Sequence, residues 1–210
     1  MRHSVKRLHN SGAKNCSIQG QGHSLGLHPA VYFYGPTGRH SGSMFMGTLT
    51  LIARKLANND KEFFKKFSAI RSSLETILVE YKDLLATILQ KQLSSKRVDR
   101  YANLLDQMIS NLSDGKTVSE SDLVGFAGLE GKIVTGRSLE APKKFSDDSK
   151  SQVFIRTALS SAVKCPICEG YLDATKSVSY DHIERAQEGG DATAKNLQLT
   201  HPYCNQSVKN

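Results

Sequence analysis

Cysteine and histidine residues occur near the C-terminal end of the chain at spacings typical of metal ligands. Two residues separate Cys165 from Cys168, and two residues again separate His201 from Cys204, after 32 intervening residues. Zinc in proteins prefers four tetrahedral Cys and His ligands, usually supplied as two close pairs joined by a longer loop. The spacing therefore predicts a structural zinc site, which stabilises a segment too small to build a sufficient core of its own.

The residues between the two ligand pairs predict a small hairpin. Residues 177–180 alternate as a half-buried strand does and lead directly into Asp181 and His182. A pair of glycines then supplies a turn, and Asn196 introduces a second short strand. Asn205 follows the last cysteine and begins a short final helix. Strand, loop, strand and helix form a ββα outline in which a metal is held between strand and helix.

With these motifs, residues 164–210 resemble the HNH endonuclease family in its zinc-clamped form. The resemblance implies that His182 is the general base, and that Asn196 braces the loop and helps to orient that base. It also implies that Asp181 and Asn205 bind a catalytic divalent metal. Because the last position of the family motif is His or Asn, Asn205 makes this chain an H-N-N variant.

These residue types suit phosphodiester hydrolysis for physical reasons. A hard cation on Asp181 and Asn205 stabilises the negative charge that develops on the phosphate, and oxygen ligands favour Mg²⁺ or Mn²⁺ over a second zinc. Histidine changes its charge near neutral pH, so His182 can accept a proton from water. His201 stands where many relatives have a cysteine, but imidazole is an accepted zinc ligand.

A second interpretation stays open, in which zinc folds the segment and the segment only docks on nucleic acid or protein. Taken singly, Asp181 would cap a turn, His182 would be a surface histidine and Asn205 would be a helix N-cap. Their joint occurrence at the family spacing favours catalysis. We therefore predict a metal-dependent HNH endonuclease that hydrolyses DNA phosphodiester bonds, with RNA as the other substrate class.

A weaker resemblance lies near the beginning of the chain. Residues 24–34, followed by Gly38-Arg39-His40, are similar to the middle region of ParB-like proteins of bacterial restriction and phage defence. This resemblance implies a role in restriction or phage defence. Residues 25–34 are predicted to form a short strand and residues 35–38 a turn. The polar and aromatic residues here are predicted to pack and turn, not to form a second active site: His28, Tyr32, Tyr34, Arg39 and His40.

The elements that must carry this site are mainly helical. Apolar residues over 60–92 recur at alternating spacings of four and three, which predicts one long helix, and a second helix is predicted over 96–112. Further helices are predicted over 44–56 and 152–163. The short polar link after residue 92 favours an antiparallel pair in a bundle core, with self-association or a partner protein as the alternative use. The fold class predicted is α+β.

The positive charge is unevenly distributed. The chain has 28 Lys and Arg against 20 Asp and Glu, and residues 151–210 hold six of each sign. Residues 1–150 therefore carry the whole excess of +8. Such a surface attracts nucleic acid through phosphate neutralisation and release of counterions.

Composition also predicts where the protein is located and how the chain divides into domains. No apolar run approaches the ~20 residues of a membrane helix, and no apolar segment follows the basic start, which predicts a cytoplasmic protein without membrane association. Cys16 is predicted to be a free thiol in a reducing cytosol. The predicted domains are a basic, helical region over 1–140, a linker over 141–151 and the nuclease domain over 152–210.

Overall fold

The computed structural model describes residues 17–18, 23–133, 147–174 and 177–208. Cys16 lies outside these residues, as does the predicted linker up to residue 146. The chain divides into two compact units. We call residues 29–162 the helical unit, and residues up to 28 together with residues from 163 onward the terminal unit. The boundaries of the predicted domains stay a prediction.

Three helices of the helical unit begin at polar side chains that cap them. Ser41 and Asp60 each accept a hydrogen bond from the backbone N–H three residues ahead, which caps α2 and α3. Ser119 and Asp122 exchange side-chain and backbone bonds in a capping box at the start of α6. The helices are α1 (Pro29–Tyr32), α2 (Gly42–Ala57), α3 (Lys61–Glu80), α4 (Lys82–Lys91), α5 (Arg97–Ser113), α6 (Glu120–Phe126) and α7 (Asp147–Ser160).

The apolar stripe predicted over residues 60–92 packs inside the helical unit. Helix α5 lies chiefly against α2 and α3. The apolar faces of α3 and α5 are therefore buried within the chain, and this burial explains the alternating spacing of four and three without a second chain. Within the described residues, no helix has both the length and the apolar character needed to cross a bilayer. The buried apolar side chains of α3 and α5 include Phe63, Phe64, Phe67, Leu74, Leu78, Tyr101, Leu104, Leu105 and Met108.

Two local features differ from the sequence-based expectation. The helix expected over 60–92 is interrupted at Tyr81, whose φ of −98° and ψ of 26° separate α3 from α4. The strand predicted over residues 25–34 is wrong, because residues 25–28 are irregular and Pro29 then begins α1. Proline fits the first helical position, where its missing N–H costs nothing. The predicted turn is present, since the Gly38 N–H donates to the Gly35 carbonyl.

A buried ion pair within α3 receives a hydrogen bond from α1. Arg71 and Glu75 are each 1% exposed, and their Nε and Oε1 atoms lie 2.7 Å apart. The Tyr32 hydroxyl donates to the same carboxylate oxygen at 2.9 Å. The Arg71 guanidinium also lies over the rings of Phe67 and Tyr32. These contacts satisfy both charges, which a buried pair requires if it is not to destabilise the fold.

Lys82 binds carbonyl groups at the C-terminal end of α1 and just beyond it. Its ammonium donates to the carbonyl oxygens of Ala30 and Val31 at 2.9 Å and to that of Tyr34 at 3.0 Å. Carbonyls at the end of a helix lack intrahelical partners, so a buried cation can satisfy them. Burial lowers the pKa of Lys82 to about 8, while the neighbouring Asp83 acts in the opposite direction.

The terminal unit contains two small antiparallel sheets. Strand β1 (Ser17–Ile18) pairs with β2 (His23–Ser24), and β3 (Ser179–His182) pairs with β4 (Leu197–Thr200). A short π-helix (Cys204–Val208) follows β4. The predicted α+β class is confirmed, with a mainly helical chain and a small strand, strand and helix region near residue 210.

We expect Lys82→Met to destabilise the helical unit, because it removes the donor from three carbonyl oxygens around a buried position. Leaving a buried acceptor unsatisfied costs roughly 1–3 kcal/mol. Urea unfolding followed by circular dichroism would measure the loss. Lys91→Met, at an exposed position in the last turn of α4, serves as the control. Equal stability of the two variants would contradict the role assigned to Lys82.

Candidate functional site

A tight turn presents the first two cysteines. The Cys165 N–H donates to the Gly170 carbonyl at 2.9 Å, and the Glu169 N–H donates to the Cys165 carbonyl at 2.8 Å. Glu169 has a φ of 56°, a left-handed conformation uncommon for a residue with a side chain. The turn thereby brings Cys168 back beside Cys165, as a zinc knuckle requires.

The structure brings the four predicted zinc ligands together. The ligand atoms of Cys165, Cys168, His201 and Cys204 all lie within 4.8 Å of one another, and all four residues are buried. The Cys168 Sγ lies 3.3 Å from the His201 Nδ1. Two ligands on one tetrahedral zinc, with bonds of about 2.3 and 2.0 Å, would be about 3.5 Å apart. The donor set and its spacing therefore fit a structural zinc ion.

The tautomer of His201 follows from its second hydrogen bond. The His201 Nε2 lies 3.0 Å from the carbonyl oxygen of Tyr171, and a carbonyl can only accept. The proton therefore sits on Nε2, and Nδ1 faces the cysteines with its lone pair. A backbone partner of this kind fixes the orientation of a metal-binding ring.

Without a cation, the thiols of this cluster compete for protons. Hydrogen bonds from Cys168, and then from Cys204, hold the pKa of the Cys165 thiol below its usual range. The thiols of Cys165 and Cys168, with burial, push the pKa of Cys204 upward. Three crowded thiols cannot all ionise beside one another, whereas a divalent cation binds them as thiolates.

Residues 24–28 form one wall of this cluster, which the sequence did not indicate. A Cβ atom added at Gly26, where φ is +58°, would lie 2.8 Å from the Cδ2 of His201 and 3.2 Å from the Ser177 carbonyl. The hydroxyls of Ser24 and Ser177 are 2.7 Å apart. Leu25 and Leu27, on either side of the glycine, are 2% and 5% exposed. The Leu-Gly-Leu pattern signals a buried glycine but not the partner that it packs against.

The hairpin distributes the predicted catalytic residues over two faces. Asp181 lies opposite Gln198 and His182 lies opposite Leu197. Successive strand residues point to opposite faces, so Asp181 and His182 diverge. Asp181 is 8% exposed and its Oδ2 accepts a hydrogen bond from the Gln198 Nε2 at 3.0 Å. His182 shares its face with Tyr180, which is 67% exposed.

Asn196 ties down the loop between the strands. Its Oδ1 accepts from the Glu184 N–H at 2.8 Å, and its Nδ2 donates to the carbonyls of Glu184 at 3.0 Å and Asp191 at 2.8 Å. A Cβ at Gly190 would collide with the Glu184 carbonyl and lie 2.7 Å from the Asn196 Nδ2. The loop can close on Asn196 only because residue 190 has no side chain.

His182 and Asp191 sit close enough to interact electrostatically across this loop. Hydrogen bonds from the Thr193 hydroxyl and N–H lower the pKa of Asp191, and the His182 charge adds a smaller effect in the same direction. Asp191 is fully exposed, so solvent screens the pair. The loop that Asn196 holds therefore runs past the His182 end of β3.

Asn205 reaches back to β3 from the π-helix. Its Nδ2 donates to the Ser179 hydroxyl at 2.8 Å and lies 3.4 Å from the Tyr180 carbonyl. Because that carbonyl can only accept, the amide nitrogen faces the strand and the amide oxygen is the atom that would meet a cation. Ser179 and Asp181 share one face of β3, so Asn205 and Asp181 belong to the same side of the hairpin.

Residues 165–210 match the family model of the HNH endonucleases. The match begins at the first cysteine of the zinc cluster and includes the whole hairpin and the π-helix. Comparison with curated proteins and with solved structures found no match to this chain.

We expect Gly26→Ala to weaken zinc binding, because the new methyl group would meet the His201 ring and the backbone would be strained at positive φ. Altered outer-shell contacts typically reduce metal affinity about 10–100-fold. Competition with a chromogenic chelator would measure the change. Gly42→Ala is the control, since nothing lies within 4 Å of a Cβ there. An unchanged affinity for zinc in Gly26→Ala would show that residues 24–28 do not support the cluster.

Proposed function

We propose that this protein is a metal-dependent HNH endonuclease that hydrolyses DNA phosphodiester bonds. The family match over residues 165–210 supports a nuclease of this family. The buried Cys₃His cluster supports a zinc ion with a structural role, because four protein ligands leave no position open for substrate. Catalysis would then belong to the hairpin that the cluster stabilises.

The observation that carries the proposal is the hairpin register with its two bracing asparagines. With this register, the carboxylate of Asp181 and the amide of Asn205 lie on one side of the hairpin. Asn196 holds the loop that begins directly after His182. An acid, an amide and an imidazole are thus supported on short, hydrogen-bonded elements, which is what a catalytic site needs for precise positioning.

In the proposed reaction, His182 is the general base. It accepts a proton from the water molecule whose oxygen attacks phosphorus, while the P–O bond to the leaving sugar oxygen breaks. Because Asp181 and His182 lie on opposite faces, a phosphate that both can serve lies over the end of β3, where the loop starts. Asn196 contributes by holding that loop and so acts as a positioning residue.

Asp181 and Asn205 would hold the catalytic cation. Carboxylate and amide oxygens are ligands for Mg²⁺ or Mn²⁺. When bound, such an ion stabilises the charge that accumulates on the phosphate oxygens. Asn205 is then the last motif residue of an H-N-N variant, supported by its amide orientation toward Ser179. Two protein ligands leave the remaining positions to water and phosphate, which is usual for Mg²⁺.

The charge distribution supports a polyanionic substrate and indicates which part of the chain attracts it. Residues 1–59 contain seven Lys and Arg and no Asp or Glu, whereas residues 60–133 contain 11 of each sign. Helices α3 to α6 therefore contribute no net charge. In α2, Arg54 pairs with Asp99 and Lys55 with Asp106. We infer that phosphate attraction comes chiefly from the first 59 residues.

A setting in restriction or phage defence completes the proposal. It rests on the similarity of residues 24–40 to ParB-like proteins and on the nuclease assignment. Such a nuclease would act in the cytoplasm on DNA. Self-association and a partner protein are not needed to account for the apolar stripe of α3, which is buried within the chain.

We expect zinc-loaded protein to nick supercoiled plasmid DNA with Mg²⁺ or Mn²⁺ and to be inactive with EDTA. His182→Ala should lower the rate by about 10²–10⁴-fold, the usual contribution of a general base. Asp181→Ala should lose activation by the cation while retaining zinc.

Gel analysis of nicked and linear products measures the rates, and Tyr180→Ala, next to His182 but exposed, is the control for local disturbance. A folded, zinc-loaded wild type that cuts neither DNA nor RNA would favour the non-catalytic binding module. Equal activity of His182→Ala and wild type would refute the role of the imidazole.

We expect DNA affinity to fall steeply with salt, and to fall less steeply when basic residues in the first 59 are neutralised. Replacing Arg2, Lys6, Arg7 and Lys14 with Gln should weaken binding and reduce the slope of log affinity against log salt by about 0.9 per lost phosphate contact. Fluorescence anisotropy with labelled duplex would measure both. The control replaces four exposed lysines of the neutral region with Gln: Lys61, Lys91, Lys96 and Lys116. An equal effect of the two sets would place the phosphate contacts elsewhere.

A further inference from the structure

Gln198 is directly opposite Asp181 in the hairpin. The two residues are register partners in β3 and β4, and their side chains lie on the same face. The Gln198 Nε2 donates to the Asp181 Oδ2 at 3.0 Å. Asp181 is 8% exposed, so this bond lies in a largely desolvated place, where hydrogen bonds orient side chains strongly.

The bond orients the carboxylate of Asp181. Oδ2 accepts the hydrogen bond from the Gln198 amide, which fixes the orientation of the carboxylate plane and so of both oxygens. An uncharged donor suits this position, because it orients the carboxylate without neutralising it, whereas a Lys or Arg would compete with a metal ion for the same charge.

The neighbouring pair on the same face is also polar and hydrogen-bonded. Ser179 lies opposite Thr200, whose hydroxyl lies 3.4 Å from the Ser179 carbonyl. The Ser179 hydroxyl in turn accepts from the Asn205 amide. Polar residues of the hairpin thus contribute to orienting both proposed cation ligands, Ser179 for Asn205 and Gln198 for Asp181.

We propose that Gln198 is a positioning residue that orients the Asp181 carboxylate for a divalent cation. The inference rests on the proposed function in taking Asp181 as a cation ligand, and it adds Gln198 to the residues that have a proposed role at this site. Gln198 touches neither the substrate nor the reacting atoms. Its removal should weaken cation binding more than it lowers the rate at saturating cation.

The test uses the full chain, loaded with zinc, and Mn²⁺ as the probe. Electron paramagnetic resonance of free Mn²⁺ gives the dissociation constant for wild type, Gln198→Leu, Gln198→Met and Asp181→Ala. Leu and Met keep most of the side-chain volume but remove the donor. Gln187→Leu is the matched control, because it makes the same chemical change at an exposed position of the same unit.

We expect the Mn²⁺ dissociation constant to rise about 10-fold in Gln198→Leu, within the range seen when partners of metal ligands are removed. The Mn²⁺ concentration for half-maximal nicking should rise by the same factor, with the maximal rate within about threefold of wild type. Zinc content should stay at one equivalent, Asp181→Ala should lose the site, and Gln187→Leu should match wild type.

Unchanged Mn²⁺ affinity in both Gln198 variants would overturn the proposal. So would loss of zinc in both, because Gln198 would then act on the fold and not on Asp181. Mn²⁺ binding that does not depend on Asp181 would overturn it as well. The wild type could bind Mn²⁺ with an affinity that depends on Asp181 and Gln198 and yet cut nothing. That result would refute the proposed nuclease activity and leave the positioning role of Gln198 intact.

Discussion

The imidazole of His201 is the group on which the terminal unit depends. Its Nδ1 faces three cysteines, its Nε2 donates to the Tyr171 carbonyl, and its carbon edge lies against Gly26. Three separate segments of the chain therefore meet at one ring. A unit with so little apolar core needs such a junction, since a bound metal would supply much of its folding free energy.

The residues around His201 also hold the hairpin in place. Cys168 precedes β3, and Thr200 at the end of β4 is followed directly by His201. Leu199 of β4 and Val178, which directly precedes β3, pack on the cysteine cluster. The strands are only four residues long, and an isolated two-stranded hairpin is marginal in water. Packing on the cluster, together with the bonds of Asn196, compensates for their short length.

Sequence reasoning identified the parts of this unit whose signal is local. The two ligand pairs are predictable because zinc restricts both the type and the spacing of its ligands. The cluster of Cys165, Cys168, His201 and Cys204 forms as expected. Apolar periodicity and capping residues predict helices α2, α3, α5 and α7. The catalytic roles of Asp181, His182, Asn196 and Asn205 stay predictions that activity measurements must decide.

The features that sequence reasoning missed depend on long-range contacts. Nothing near Gly26 indicates that it packs against a histidine 175 positions later. Nothing in the sequence near Lys82 indicates that its ammonium is buried against the carbonyls of Ala30, Val31 and Tyr34. The strand expected over 25–34 failed for a local reason, since apolar residues around Pro29 serve a helix start and a buried loop equally well.

The wall that residues 24–28 contribute to the zinc cluster has a consequence for synthesis on the ribosome. Chains emerge from the N-terminus at about 5–20 residues per second, and complete units fold as they appear. The helical unit ends at residue 162 and can form while the terminal unit still lacks all four cluster ligands. Residues 24–28 cannot complete their contact with His201 until that residue has been added to the chain. Assembly of the zinc centre therefore reports that translation has passed residue 204, and an incompletely translated chain would carry the basic segment without a finished hairpin.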